Sequence, residues 1–260
     1  MKRNVVLLFL LLACVMILHA ANNPKCIIIG FEPRNIKVSD SISDALRDSG
    51  LEVERCMVSR KGISFTVDSL LGEVGNSSDA VGIIGVGYVG GIAAAEMASK
   101  SKPAYLILIS TPGVSGKQFS ERLLMGPTFS LEIPAKEAME VRRQFGEMSK
   151  ESFGKTSEEI DQYFPEKIFG SINCPVFALA GANDARLDWY ENLSEMERIL
   201  PKSENHWFKA YPRTGYVLLE EKEYVPYWLG DYSPYALANI NPQPIHDICE
   251  WIANLKENGK

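Results

Sequence analysis

Short apolar runs alternate with amphipathic segments along most of the chain. The runs have the length of buried strands, and the intervening segments carry apolar residues at helical spacing. This alternation predicts an α/β fold, with a mostly parallel central sheet and helices on both faces. The predicted strands are residues 26–29, 51–57, 81–84, 104–109, 175–180 and 206–211, and the predicted helices lie near 39–49, 67–74, 91–98, 189–200 and after 242.

The alternation stops between residues 114 and 169, where no comparable strand is present. Thr156 and Glu159 have the spacing of a capping box, which marks the start of a helix. We therefore expect one α/β domain over residues 22–260, with residues 114–169 forming a helical cap insertion. Helices in this insertion are also indicated by an apolar stripe at Ala138, Val141, Phe145 and Met148.

The N-terminal residues have the order of a secretory signal. Lys2 and Arg3 precede the apolar stretch 5–18, and the small residues Ala20 and Ala21 follow. This order predicts a cleaved signal peptide over residues 1–21 and a secreted or extracytoplasmic protein. The alternative is an uncleaved membrane anchor, but the stretch falls short of the roughly 20 apolar residues that span a bilayer.

Composition narrows the possible partners and redox chemistry. The chain has 260 residues, 46% of them hydrophobic, and a formal charge of -6 without a basic stripe, so nucleic acid is not an expected partner. Outside the signal there is no CxxC pair or metal-ligand spacing, and we expect no metal and no cofactor. We expect buried free thiols at the four remaining cysteines, Cys26, Cys56, Cys174 and Cys249.

The glycine turn after the third predicted strand is the main clue to function. Its sequence, VGIIGVGYVGG, fits G-x-G-x-x-G through Gly85, Gly87 and Gly90, and it also fits the strand–turn–helix of a nucleophile elbow. A dinucleotide site would require an acidic residue at the end of the next strand. That strand ends in Leu-Ile-Ser-Thr at residues 108–111, so the elbow is the favoured interpretation.

Several segments together resemble the α/β-hydrolase superfamily, particularly its secreted branch of dienelactone hydrolases and prolyl-oligopeptidase-type esterases. The similar segments are VGIIGVGYVGGIA at 81–93, YLILISTPGVSG at 105–116, CPV leading to GAND at 174–184, and INP with ICEWI between 240 and 252. The resemblance implies an α/β-hydrolase fold and the positions of a catalytic triad.

The implied triad is degenerate. The position of the serine nucleophile is taken by Gly87 or, if the match slides by one residue, by Tyr88, while Asp184 stands in the position of the acid. Tyr216 occupies the position of the catalytic histidine. A free tyrosine phenol has a pKa of about 10 and needs a strong base beside it to attack a carbonyl. The chain has three histidines, and none of His19, His206 and His246 lies at the position the resemblance requires.

These residues predict a non-catalytic protein that binds an unknown small molecule or protein. The expected pocket is formed by Gly30, Phe31 and Glu32 in the oxyanion loop, together with Gly87, Tyr88, Asp184 and Tyr216. One alternative is an active hydrolase or acyl transferase that uses Tyr88 or a displaced nucleophile such as Cys56 or Ser110. A second alternative is a nucleotide-binding protein that uses the glycine turn.

Overall fold

The computed structural model describes residues 24–30, 33–74, 81–130, 154–221 and 239–258, with a few single positions between 134 and 151. The expected signal peptide, the oxyanion-loop residues Phe31 and Glu32, and the stripe from Ala138 to Met148 lie outside the described residues. Within the described residues, no helix is both long and apolar enough to cross a bilayer. The signal peptide, secretion and the cap therefore stay predictions.

Six strands form one sheet in the order β2-β1-β3-β4-β5-β6, and every pair is parallel. The predicted α/β class with a parallel sheet and surrounding helices is confirmed, and strand boundaries differ from the predicted ones by one or two residues. The strands are β1 Lys25–Gly30, β2 Glu52–Met57, β3 Gly82–Val86, β4 Tyr105–Ile109, β5 Val176–Gly181 and β6 Trp207–Tyr211.

Helices surround the sheet, with α1 packed on α8 and α2 packed on α3. The helices are α1 Pro33–Asp48, α2 Ile63–Val74, α3 Gly87–Lys100, α4 Gly116–Ser130, α5 Lys155–Asp161, α6 Pro165–Phe169, α7 Trp189–Ile199 and α8 Pro242–Asn258, with a short 3-10 turn at Tyr216–Leu218. The largest differences from the predicted boundaries are at helix starts: α1 begins at Pro33 rather than at residue 39, and α3 begins at Gly87 rather than at residue 91. The helix therefore starts at the turn itself.

The hydrophobic core lies along the central sheet. Every residue of β3, β4 and β5 is buried, because the inner strands of a parallel sheet are covered on both faces. The edge strand β2 is partly exposed and carries charges, including Glu54, which pairs with Lys25 at 2.6 Å. Charged side chains on an edge strand discourage pairing with another chain. The buried ends of β3, β4 and β5 thus form a rigid base for the loops that follow them.

The insertion is fastened to the rest of the domain, and the predicted capping box within it is wrong. The residue before α5 is Gly154, and the Thr156 hydroxyl donates to the carbonyl oxygen of Ser59 at 3.4 Å. The Glu159 carboxylate instead accepts the N–H groups of Ile63 and Ser64, the first residues of α2. Glu159 therefore caps α2, to which it is distant in sequence, and not its own helix.

The expectation of buried free thiols holds fully for two of the four cysteines. All four are free; Cys26 and Cys174 are buried, whereas Cys56 and Cys249 are partly exposed. Burial raises the pKa of the Cys26 and Cys174 thiols to about 12, so both stay protonated and unreactive at neutral pH.

Candidate functional site

The elbow turn is present in the backbone, and its apex is Gly87. Strand β3 ends at Val86 and α3 begins at the next residue, with no loop between them. Gly87 has a φ of 74°, in the left-handed region that the apex of a nucleophile elbow requires. Tyr88 follows as a residue of the first helical turn. Of the two positions that the sequence left open, the apex geometry thus belongs to Gly87, which has no side chain to act as a nucleophile.

Two other glycines of the turn allow α3 to pack closely on the sheet. A Cβ atom on Gly90 would lie 2.3 Å from the carbonyl oxygen of Ile29 on β1. A Cβ atom on Gly85 would lie 2.6 Å from the Cα of Gly91. Both distances are far below van der Waals contact, so only glycine fits at either position. Packing alone accounts for this part of the G-x-G-x-x-G pattern.

Tyr216 lies against the elbow and occupies its backbone donor. The Tyr216 hydroxyl accepts a hydrogen bond from the backbone N–H of Tyr88 at 3.2 Å, and both tyrosines are buried. In an α/β-hydrolase, the N–H of the residue after the nucleophile is one of the two donors of the oxyanion hole. The Tyr216 hydroxyl therefore occupies the N–H that would correspond to an oxyanion-hole donor of such an enzyme.

Aromatic rings fill the space around this hydrogen bond. The ring of Tyr88 lies 5.2 Å from that of Phe119, on α4, and 6.3 Å from that of Tyr216, measured between centroids. The Arg186 guanidinium stacks on the Tyr216 ring at 4.4 Å, close enough for a cation–π interaction. Tyr216 is thus held by the hydrogen bond at its hydroxyl and by the contacts of its ring with Tyr88 and Arg186. Phe119 and Arg186 were not predicted from the sequence as site residues, although Arg186 lies only two residues after Asp184.

Asp184 follows β5 and is buried, with 5% of its surface exposed. Its Oδ1 accepts the backbone N–H groups of Arg186 at 2.9 Å and Leu187 at 3.2 Å. Burial raises the pKa of the carboxyl to about 6, and the backbone donors, the Ser110 hydroxyl and the Arg186 charge offset only part of this shift. Asp184 does not cap α7, because Asp188 fills that role by accepting the N–H of Glu191. A buried, hydrogen-bonded carboxyl thus lies at the position that the resemblance predicted for a triad acid.

The carboxyl ends of the parallel strands bring the predicted triad positions to one edge of the sheet. Gly87 follows β3, Asp184 follows β5 and Tyr216 follows β6, while Gly30 ends β1 at the same edge. Ser110, at the end of β4, connects two of these loops because its Oγ accepts the N–H of Val217 at 3.2 Å. The structure therefore brings together Gly87, Tyr88, Asp184 and Tyr216, with Ser110 between the last two.

The other candidate nucleophiles and bases do not reach this edge in a catalytic arrangement. Cys56 lies on β2, and β1 separates that strand from the elbow strand. Ser110 is fully buried and already hydrogen-bonded. His206 lies just before β6, at the opposite edge, where its Nδ1 accepts the N–H of Val176 at 3.0 Å. His246 lies on α8 with 71% of its side chain exposed.

One group of potential metal ligands was not expected from the sequence. In the described part of the chain, His246, Asp247 and Glu250 have ligand atoms within 4.8 Å of one another. Burial would raise the pKa of Asp247, but hydrogen bonds from Lys209, Tyr211 and Gln243 lower it to about 2. Asp247 therefore already pairs with Lys209 on β6 and fastens α8 to the sheet. The cluster therefore has a structural role, with Asp247 buried and with His246 and Glu250 exposed.

Comparison with known proteins identifies the fold. No protein-family model and no curated protein sequence matches the chain. Among solved structures, Est1E from Butyrivibrio proteoclasticus is 11% identical, with a TM-score of 0.58 over 91% of this chain and 89% of that one. An esterase of Pyrococcus furiosus is 13% identical, with a TM-score of 0.53 over 90% and 82% of the two chains. An esterase domain from Rhodothermus marinus is 14% identical, with a TM-score of 0.53 over 76% and 80%.

The protein has the α/β-hydrolase fold. The strand order, the elbow between β3 and α3, and the structural neighbours all agree on this class. At such low sequence identity the likeness defines the fold and carries no information on activity. The function must be inferred from the residues at the site.

Proposed function

We propose that this protein is a non-catalytic binding protein built on the α/β-hydrolase fold. The observation that carries the proposal is the hydrogen bond from the Tyr88 N–H to the Tyr216 hydroxyl, beside an apex residue, Gly87, without a side chain. Acyl transfer on this fold requires a nucleophile, a base that takes its proton, and donors that stabilise the oxyanion. Gly87 provides no nucleophile. Tyr216 stands in place of the base, and its hydroxyl occupies one of the oxyanion donors, the Tyr88 N–H.

We expect the ligand to bind at the site that these groups form. The proposed binding residues are Gly30, Phe31, Glu32, Gly87, Tyr88, Asp184 and Tyr216, and Phe119 and Arg186 extend this set. Aromatic rings and a partly buried guanidinium are suited to a ligand with an apolar body and a polar end. A small molecule or a protein segment meets this description, and the expected setting is outside the cytoplasm.

Catalysis is tested with a fluorophosphonate probe and a panel of ester and thioester substrates. The wild-type protein should neither be labelled nor turn over substrate, whereas an active esterase treated in parallel should do both. The matched variants are Gly87→Ser and the double variant Gly87→Ser/Tyr216→His, which returns a nucleophile and a base beside Asp184. Labelling of the double variant alone would support the loss of these two groups as the cause of inactivity.

The same experiment separates the proposal from an active hydrolase with an unusual nucleophile. Wild-type labelling that maps to Tyr88 or Cys56 by mass spectrometry, and that disappears when the labelled residue is changed, would overturn the proposal. Binding is tested by the rise in melting temperature across a small-molecule panel, because a ligand of the folded state stabilises it. A true site ligand should lose this effect in Arg186→Gln and keep it in Lys202→Gln, an exposed control.

A further inference from the structure

The two edge strands of the sheet, β2 and β6, differ in how their outer sides are protected. Strand β2 carries Glu52, Glu54 and Arg55, and charged side chains on an edge strand discourage pairing with another chain. The Arg47 guanidinium also donates to the carbonyl oxygen of Val53 at 3.2 Å. This oxygen points outward, because adjacent residues face opposite sides of a strand and the N–H of Glu52 points toward β1. An outer backbone group of β2 is thus already occupied.

The outer side of β6 presents unpaired backbone groups. The carbonyl oxygen of Tyr211 accepts the N–H of Ala182, which follows β5, so the backbone of Tyr211 faces β5. By alternation, Phe208 and Ala210 direct their N–H and C=O groups away from the sheet. Within the described part of the chain, these outward groups have no hydrogen-bond partner. They form a short ladder that an added strand can complete.

The side chains of β6 give little protection against such a strand. Lys209 is the one charged residue of β6, and its ammonium already pairs with the Asp247 carboxylate on α8. Trp207 is 39% exposed, and Phe208 is partly exposed. Trp207 and Lys209 lie on the face of the sheet toward α8 and Phe208 on the other, because side chains alternate along a strand. Strand β6 therefore lacks the charged outer surface of β2.

We propose that β6 is a homodimer interface, at which two copies of the chain pair antiparallel about a two-fold axis through Phe208 and join their sheets. In this arrangement the Phe208 N–H of each copy donates to the Phe208 carbonyl oxygen of the other, and the Ala210 N–H donates to the His206 carbonyl oxygen. A two-fold pair covers both unprotected strands at once, because the same groups on each copy serve as donors and acceptors. The contact involves neither the elbow nor Tyr216, so this proposal does not depend on the proposed function.

The side chains of β6 favour this register over its neighbours. It sets Trp207 of each copy opposite Lys209 of the other, within reach of a cation–π contact, and it brings the two Phe208 rings together. A register centred on Lys209 would instead set two ammonium groups against each other. One centred on Ala210 would place Pro212, which has no N–H, opposite Phe208. The register centred on Phe208 avoids both penalties.

The first test is sedimentation velocity of the purified protein over a wide range of concentration. A thiol reductant keeps the partly exposed Cys56 and Cys249 from linking copies. The average mass should rise from that of a monomer towards that of a dimer, and Ala210→Pro, which removes an outward N–H but no bond to β5, should weaken dimerisation about tenfold or more. Met57→Pro, at an outward position of the β2 edge, should dimerise like the wild type. A wild-type protein that stays monomeric at every concentration, or an Ala210→Pro variant that dimerises unchanged, would overturn the proposal.

Hydrogen exchange of the wild-type protein gives a second readout, which does not require any variant to fold. The amide hydrogens of Phe208 and Ala210 should exchange about tenfold more slowly in concentrated than in dilute protein. The amide hydrogens of Lys209 and Tyr211 bond to β5 and should be protected at both concentrations. Protection of Phe208 and Ala210 that is independent of concentration would indicate a segment of the same chain on this edge, and the proposal would be wrong.

Two substitutions at one position check the register. Trp207→Lys sets a like charge opposite Lys209 of the second copy, whereas Trp207→Glu sets an opposite charge there, and both lose the same ring contact with Phe177. The Lys variant should dimerise several-fold more weakly than the Glu variant at low ionic strength, and salt should remove the difference. Equal dimerisation of the two variants at low salt would contradict the register and with it the proposed interface.

Discussion

The elbow at Gly87 and the Tyr216–Leu218 turn lie at the same edge of the sheet, and both contain left-handed backbone. Glycine adopts this conformation at no steric cost, so the elbow is unstrained. In the other turn, Val217 and Leu218 each carry strain of about 1–3 kcal/mol. The residue at the elbow apex thus has neither a side chain nor strain, whereas the turn that contains Tyr216 has strain in two residues with side chains. Neighbouring contacts must hold this second turn in its conformation.

The largest expected effect comes from removing the side chain that closes the site. Tyr216→Ala should lower the free energy of unfolding by ~3–5 kcal/mol, because it leaves a cavity among packed rings. Tyr216→Phe keeps the ring but leaves the buried Tyr88 N–H without its acceptor, which should cost ~1–3 kcal/mol. Urea denaturation measures both. A neutral Tyr216→Phe would mean that the hydroxyl does not hold the turn to the elbow.

Asp184 gives the next effect, and its sign depends on pH. The pKa of its carboxyl is raised from 3.8 to about 6 on folding, so its contribution to stability is fully present below 3.8 and is lost as the pH rises through about 6. The ionised carboxyl therefore opposes folding by roughly 3 kcal/mol at neutral pH and above.

Asp184→Asn should accordingly increase the free energy of unfolding above this range and leave it nearly unchanged below it. Urea denaturation at both ends of the range provides the measurement. Asp188→Asn is a matched control, because Asp188 lies on the same loop as an exposed helix cap and not as a buried acid. An equal effect of Asp184→Asn at both ends would contradict the raised pKa.

The absence of strain at the elbow can be measured by adding a Cβ atom. Gly87→Ala should lower the free energy of unfolding by ~1–2 kcal/mol, the cost of a left-handed residue with a side chain. Gly50→Ala is the control, since Gly50 has a similar φ of 81° and open space within 4 Å of an added Cβ. Equal losses would show backbone strain alone, and a larger loss at Gly87 would measure crowding at the elbow. No loss at Gly87 would contradict the left-handed apex.

The smallest effect is expected at the opposite edge of the sheet, where His206 titrates in the other direction. Burial lowers its pKa from 6.5, and its neutral Nδ1 accepts the Val176 N–H. Its contribution to stability is therefore present above 6.5 and is lost as the pH falls through the lowered value. His206→Gln should weaken the loss of stability in acid, while His246→Gln, at an exposed position, should not. If both variants behave alike, His206 is not buried in its neutral form.

The sequence was sufficient for the sheet, for the turn at Gly87 and for the place of Asp184 after β5, because these depend on local patterns. Continuous apolar runs identify buried parallel strands, and a strand that meets a glycine-rich turn and a helix identifies the elbow. The start of α3 was placed too late because glycines disfavour helices in isolation. Close contact of α3 with β1 and β3 overrides that preference at Gly90 and Gly85.

The contacts that close the site could not be predicted, because they join residues that are distant in sequence. Tyr216 and Tyr88 are 128 positions apart, and only the parallel register brings them together. The left-handed Val217 contradicts its local preference for extended backbone, so only tertiary contacts explain it. Glu159 fits a local capping box, yet its carboxylate accepts the N–H of Ile63 at the start of α2, 96 residues away. Each case is one in which tertiary packing outweighs local sequence preference.

The link between Glu159 and α2 has a consequence for how this edge of the sheet can open. Glu159 ties α5 to the start of α2, and just after α5 the Tyr163 hydroxyl donates to the Pro112 carbonyl oxygen at 3.0 Å. A flap-like swing of α5 would leave the first N–H groups of α2 without an acceptor and would break the Tyr163 bond as well. Movement of Tyr216 instead breaks its hydrogen bond with the Tyr88 N–H and its contact with the Arg186 guanidinium, and it leaves α5 in place. Such a rearrangement is a loop motion and not a domain motion.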